Sequence, residues 1–161
     1  TLFGAAGIVL VGHHDDRLAV GARAGATHLV NARREDPLEV IRELTAGRGA
    51  DAVVETISNN ESLGRALESV RDGGAVAVLG MSHFFEPVDQ PYSAVFMRNV
   101  SIHPGVCPSR AYIPRLLNVV AQGIVDPGLV FTHDLPLAEA ARGYEVMNSR
   151  MEGSIKVALT P

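Results

Sequence analysis

The residues best equipped for chemistry lie together near the start of the chain, in Gly12-His13-His14-Asp15-Asp16-Arg17, directly after the apolar run at residues 8–11. Two imidazoles, two carboxylates and a guanidinium in so short a stretch could ligate a metal or hold a phosphate. Metal ligation is the weaker reading, because adjacent residues rarely converge on one tetrahedral ion and the sequence places no further ligand nearby. A solvated loop fits better, with Asp15 and Asp16 close enough to blunt the positive field of Arg17, Arg33 and Arg34. Cys107 is the single cysteine, so the chain can form no internal disulfide and no all-cysteine zinc cluster. A nucleophilic Cys107 would need a base and an orienting group, and neither is recognisable around it. His28 and His133 follow no usable pattern, His83 follows a strand end, and His103 falls inside an apolar run and reads as structural.

The elements that must position these residues alternate along the chain. Strand-like runs are expected at residues 8–11, 28–31, 52–54, 75–79 and 100–103, with helices at 16–24, 37–46 and 60–70 between the first four. Pro37 suits a first helical turn, and Gly25 suits a C-terminal cap. Arg71-Asp72-Gly73-Gly74 reads as a turn, and the segment holding Pro87 and Pro91 as irregular. Short apolar strands separated by amphipathic helices argue for βαβ units and a doubly wound parallel sheet. A change of character near Cys107 marks a domain boundary. A helix at 109–122, a strand at 130–132, a helix at 137–148 and a strand at 154–159 are expected beyond it, with Pro114 in the first turns of that helix.

Composition narrows the classes. The 161 residues are 47% apolar and 20% charged, as in an ordinary globular protein. A formal net charge of −4 argues against a nucleic-acid or anionic-membrane partner held by bulk electrostatics. No apolar run approaches the ~18 residues of a spanning helix, and no secretory leader can be read. A cytoplasmic location is expected.

In doubly wound sheets, ligands bind outside the carboxyl ends of the strands. Here those ends carry Gly12 and His13, Thr56 and Ile57, Gly80 and Met81, and Val106, which are small, flexible or apolar. They would suit a flat cofactor, although Gly80 and Gly105 could equally just make turns.

The blocks "DDRLAVGARAGATHLVN", "GRGADAVVETISN", "VRDGGAVAVLG" and "IKVALTP" together resemble the coenzyme-binding half of zinc-type alcohol dehydrogenases, of the medium-chain dehydrogenase/reductase superfamily. The resemblance extends over essentially the whole chain. It implies a partial NAD(P)-binding Rossmann domain at residues 1–107, lacking its first strand. Residues 108–161 would belong to the GroES-like catalytic domain. Gly4-Ala5-Ala6-Gly7 is not the family's phosphate loop, because that loop follows a strand and opens a helix, whereas this one precedes a strand. Residues 1–3 would be the tail of the family's first helix. With the central strand absent, its two neighbours lose their shared partner, so the chain is expected to be marginal alone, part of a longer dehydrogenase or dependent on a partner chain.

The same resemblance implies hydride transfer between an alcohol or carbonyl substrate and NAD(P). The complete enzyme's zinc would find no ligands here, and no catalytic residue is assigned, so the chain alone is expected to be inactive. Gly12, His13, His14 and Arg17 would face the adenosine ribose, and Thr56, Ile57, Gly80, Met81, Val106 and Cys107 the rest of the cofactor. NAD-using members carry an acid where Gly12 stands. An acid would repel a 2′-phosphate by ~4 kcal/mol per charge pair at ~4 Å and an effective dielectric near ~20. Its absence points to NADP in preference to NAD. The alternatives are a fragment of a zinc-independent NADPH quinone reductase, or a non-enzymatic remnant that keeps dinucleotide binding or dimerisation. A homodimer through the last Rossmann strand, near residues 100–103, is expected.

Overall fold

The computed structural model describes residues 4–80, 87–150 and 153–161. Its first unit of structure is β1 (Val9–Gly12), α1 (Asp15–Arg23) and β2 (His28–Asn31), with β1 and β2 parallel and Gly12 opposite Asn31. Parallel strands need a crossover, and α1 supplies it, closing Leu18 and Val20 over Val30 in the buried interior. Next come α2 (Pro37–Leu44), β3 (Ala50–Glu55), α3 (Asn60–Ser69), β4 (Val70–Val78), α4 (Tyr92–Phe96) and β5 (Ser101–Pro104). These form a second parallel sheet of order β3-β4-β5. The chain ends with α5 (Ser109–Ala121), β6 (Phe131–Pro136), α6 (Ala140–Ser149) and β7 (Lys156–Thr160), and β6 pairs in parallel with β7.

By contacts, residues 35–109 form one compact unit, and residues 1–34 with 110–161 form the other. The core of the 35–109 unit is Leu63, Ala66, Leu67, Val70, Val76 and Val100, flanked by Val53, Val78, Val95 and Ile102. Each fully buried aliphatic side chain there contributes about 1.5–3 kcal/mol relative to exposure.

The helices begin where the sequence offers caps. Asp36 accepts the Leu38 amide at 3.0 Å ahead of Pro37. Asn59 and Ser62 exchange bonds in a capping box. The carbonyls at the end of α3 are met by Arg98, whose guanidinium donates to Leu67 O at 2.6 Å, to Val70 O, and to Asp72 Oδ1 at 2.7 Å.

Two expectations are corrected. Residues 71–74 are not a turn between elements but lie inside β4: the β3–β4 register jumps from Ala50↔Val70 to Ala52↔Ala75, so the stretch bulges out of a continuous strand. Across the bulge, Asp51 Oδ1 receives Arg71 Nε at 2.7 Å and Arg48 Nη1 at 2.6 Å. The segment after Pro87 is not wholly irregular, because Pro91 opens α4, a short helix whose Tyr92 and Phe96 rings stack 5.5 Å apart. Pro114 is accommodated within α5. No helix is long and apolar enough to cross a membrane among the described residues.

The Arg48–Asp51–Arg71 cluster has a pH consequence. Hydrogen bonds from Arg48 and then Arg71 hold the Asp51 carboxyl well below the usual carboxylate range in the folded chain. Its stabilising effect is therefore complete above the unfolded value of about 4 and is lost as pH falls through the lower folded value. The thermal midpoint should fall on acidification below about pH 4, and Asp51→Asn should flatten that fall. Identical acid profiles for both proteins, followed by circular dichroism, would remove the cluster from the account.

Candidate functional site

The carboxyl end of β1 is built by three neighbouring pieces. Gly12 closes the strand, its carbonyl accepting the Ala32 amide at 2.9 Å. His14 is the N-cap of α1 in extended conformation, with a side chain free of any capping bond. Asp15 is held in place by Asn31 Nδ2 at 2.6 Å and by Arg34 Nη2 at 2.5 Å. Those contacts, led by the Asn31 hydrogen bond and followed by Arg34, keep the Asp15 carboxyl below its ordinary range. Arg34 is thereby engaged by Asp15.

Arg17 and Arg33 make no ion pair among the described residues, and a third guanidinium joins them from far along the chain. Arg150, at the C-cap of α6, places Nη1 2.5 Å from His14 Nε2. Partial burial and then the positive charges of Arg150, Arg33 and Arg17 push the His14 imidazole below its ordinary value, with Asp16 opposing. His13 is exposed. The result is a patch with a surplus of positive charge around the end of a strand that carries no acid.

Gly12 also has a packing reason to be glycine. A Cβ there would stand 3.2 Å from Leu18 Cδ2, so any side chain would have to move that buried leucine.

In the 35–109 unit, the carboxyl ends of β3 and β4 meet closely. Glu55 is 5% exposed, and its carboxylate accepts the Ile57 amide at 2.7 Å and the Ser58 amide at 2.8 Å. This ties down a turn in which Ser58 is left-handed (φ 69°) and Thr56 and Ile57 face outward. Gly80 lies against the same turn. A Cβ at Gly80 would fall 2.5 Å from the Ile57 carbonyl carbon, so only glycine allows β4 to end there. Thr56, Ile57 and Gly80 are thus brought together, while Met81, like His83, lies outside the described residues.

Val106 and Cys107 are exposed in the loop after β5, where the Cys107 carbonyl accepts the Ser109 amide at 2.9 Å. No acid–base pair accompanies that thiol among the described residues. No cluster of His, Cys, Asp or Glu suited to a metal is found among them either. The sequence reading missed two residues. Glu55 was legible as the strand-ending acid before a capped helix, but Arg150 gave no local signal, being 136 positions from His14.

A cavity of about 670 Å³ also opens in this unit, lined by Arg42, Arg48, Asp51, Arg71 and Arg98 among others. It lies at the amino ends of β3 and β4, opposite to their carboxyl ends. Its charges are largely matched in pairs, so it is not taken as the site.

Parallel strands alternating with helices make this an α/β protein. The model of the zinc-binding dehydrogenase family matches residues 1–122, and the chain belongs to that family. It is 32% identical over 160 residues to the Mycobacterium tuberculosis protein named "Probable zinc-binding alcohol dehydrogenase", covering 99% of this chain and 40% of that protein. It is equally identical, over 160 residues, to the sorbitol dehydrogenase of Bacillus subtilis, covering 99% and 44%. The solved alcohol dehydrogenase of Thermus sp. ATN1 superposes with a TM-score of 0.90 at 31% identity, covering 99% of this chain and 45% of that one. The chain thus spans less than half the length of these relatives.

Glu55→Gln would put an amide donor against one of the two backbone amides that Glu55 now accepts. The variant should lose about 1–3 kcal/mol in chemical denaturation, with faster exchange of the Ile57 and Ser58 amides. Unchanged stability and exchange would mean that the turn holds itself.

Proposed function

We propose that this chain is the coenzyme-binding part of a zinc-dependent alcohol dehydrogenase, transferring hydride between an alcohol or carbonyl substrate and NADP, and inactive by itself. Residues 1–107 are read as a partial Rossmann domain and residues 108–161 as a segment of the GroES-like catalytic domain. The strand pairings support this division. In the full doubly wound sheet of order 3-2-1-4-5-6, this chain's β2-β1 and β3-β4-β5 would take the places 3-2 and 4-5-6.

Several exposed apolar residues support the same reading. Val54 is 63% exposed in the middle of β3, and α5 leaves Tyr112, Ile113, Leu116 and Leu117 uncovered. Such faces are ordinarily closed by another layer. The outer edge of β5 has no strand beside it among the described residues, which suits pairing with a second copy.

The observation that carries the NADP reading is the end of β1: a glycine in place of an acid, with Arg17 and Arg33 uncommitted around it. NADP would supply the hydride acceptor or donor. This chain's part would be to hold the adenosine end at Gly12, His13, His14 and Arg17, and the remainder along Thr56, Ile57, Gly80, Val106 and Cys107. The described residues offer zinc no ligand set, so no step of the chemistry is assigned to them.

Calorimetric titration with NADPH and with NADH tests the reading, and NADPH should bind at least about tenfold more tightly. Gly12→Asp should weaken NADPH much more than NADH, whereas Gly12→Ala, which also displaces Leu18, should affect both alike. Equal affinity for the two cofactors in the unaltered chain would overturn the NADP assignment.

A further inference from the structure

We propose that Arg150 is a specificity-determining residue that joins His14, Arg17 and Arg33 in one anion site at the carboxyl end of β1, built for a phosphomonoester. The inference rests on the NADP reading and adds a residue from the far end of the chain to it. Three observations lead to it.

The first is a contact between two groups that are both potential cations. Arg150 is always protonated, so its Nη1–H donates to His14 Nε2 only while the imidazole is neutral. The second is the charge balance around the contact. Arg33, in the turn after β2, and Arg17 and Asp16, on α1, all act electrostatically on the His14 imidazole. Asp15 is engaged by Asn31 and Arg34. Among the charges acting on His14, one carboxylate, Asp16, therefore stands against the three guanidiniums of Arg17, Arg33 and Arg150. A surplus of positive charge is held together best by a bound anion. The third is the backbone of Arg150. It ends α6 in the left-handed region at φ 53°, where glycine or asparagine is the usual choice. A non-glycine residue bears a conformational cost there.

A phosphomonoester dianion offers three acceptor oxygens, enough to take donors from Arg150 and a second arginine at once. It would also reverse the electrostatics at His14. With the anion in place, the imidazolium is favoured where Arg150, Arg33 and Arg17 had disfavoured it, so His14 takes up a proton from solvent and becomes a further donor. Binding is then coupled to proton uptake near neutral pH, above the second ionisation of the phosphate at about 6.

The experiment titrates the full chain with 2′-AMP, 5′-AMP and inorganic phosphate, and with NADPH and NADH, in two buffers of different ionisation enthalpy near pH 7. The unaltered chain should prefer 2′-AMP over 5′-AMP and NADPH over NADH, with net proton uptake on binding the 2′-phosphate ligands. Arg150→Gln should weaken 2′-AMP and NADPH about tenfold or more while leaving 5′-AMP and NADH within about twofold. Arg150→Lys, which keeps the charge, should restore most of the loss. A His14→Gln variant should abolish the proton uptake. If the unaltered chain prefers the 2′-phosphate ligands and Arg150→Gln changes nothing, or weakens every ligand equally, Arg150 has no part in the site and only this inference falls. If the unaltered chain shows no preference, the NADP reading falls with it. If inorganic phosphate binds as tightly as 2′-AMP, the site is a free-phosphate site rather than a cofactor one.

Discussion

A parallel β-strand in the interior of a sheet must bond on both sides, and among the described residues β4 alone does so. β1 pairs with β2 alone and β3 with β4 alone among the described residues, leaving a row of amides and carbonyls on each without a strand partner. The side chains agree with the backbone. Val11 is 43% exposed and Val54 63%, although both sit in strands whose relatives in a finished sheet would be covered on both faces. The reading of this chain as part of a larger sheet follows from that constraint.

What holds the described residues together is correspondingly local. Among the described residues, twelve apolar side chains are buried while twenty-three large ones are exposed, so much of their apolar surface finds no cover among those residues. The best-packed part is the 35–109 unit, where α3 closes over β4 and Arg98 ties the end of that helix to the start of the strand. The carboxyl ends of β1 and β3 are stiffened differently. Glu55 accepts the backbone amides of its own turn, and Asp15 is clamped between Asn31 and Arg34. These are short-range polar devices, and each converts a strand end into a fixed platform without needing a deep core beneath it.

Much of the fold was legible in the sequence because its signals are local. Apolar runs bounded by Gly, Pro and Asn marked β2 without error, and Pro37 and Asn60 marked the starts of α2 and α3. The bulge at residues 71–74 was not legible, since glycines that ordinarily make a turn here let the strand detour around an Arg–Asp pair formed with β3. The candidate site divided in the same way. Gly12, His14, Thr56 and Gly80 follow from strand ends, which the pattern reveals. Arg34's pairing with Asp15 and Arg150's approach to His14 depend on side chains meeting over long separations, and a single sequence carries no trace of either.

Amide hydrogen exchange of the whole chain in solution tests the central claim, that β1 and β3 each present a bare edge. The account predicts that the amides of β1 and β3 not donated to β2 or β4 exchange orders of magnitude faster than those of β4, which is paired on both sides. Protection of those amides equal to that of β4, in a sample shown to be monomeric, would mean that both edges are paired within this chain and would contradict the account.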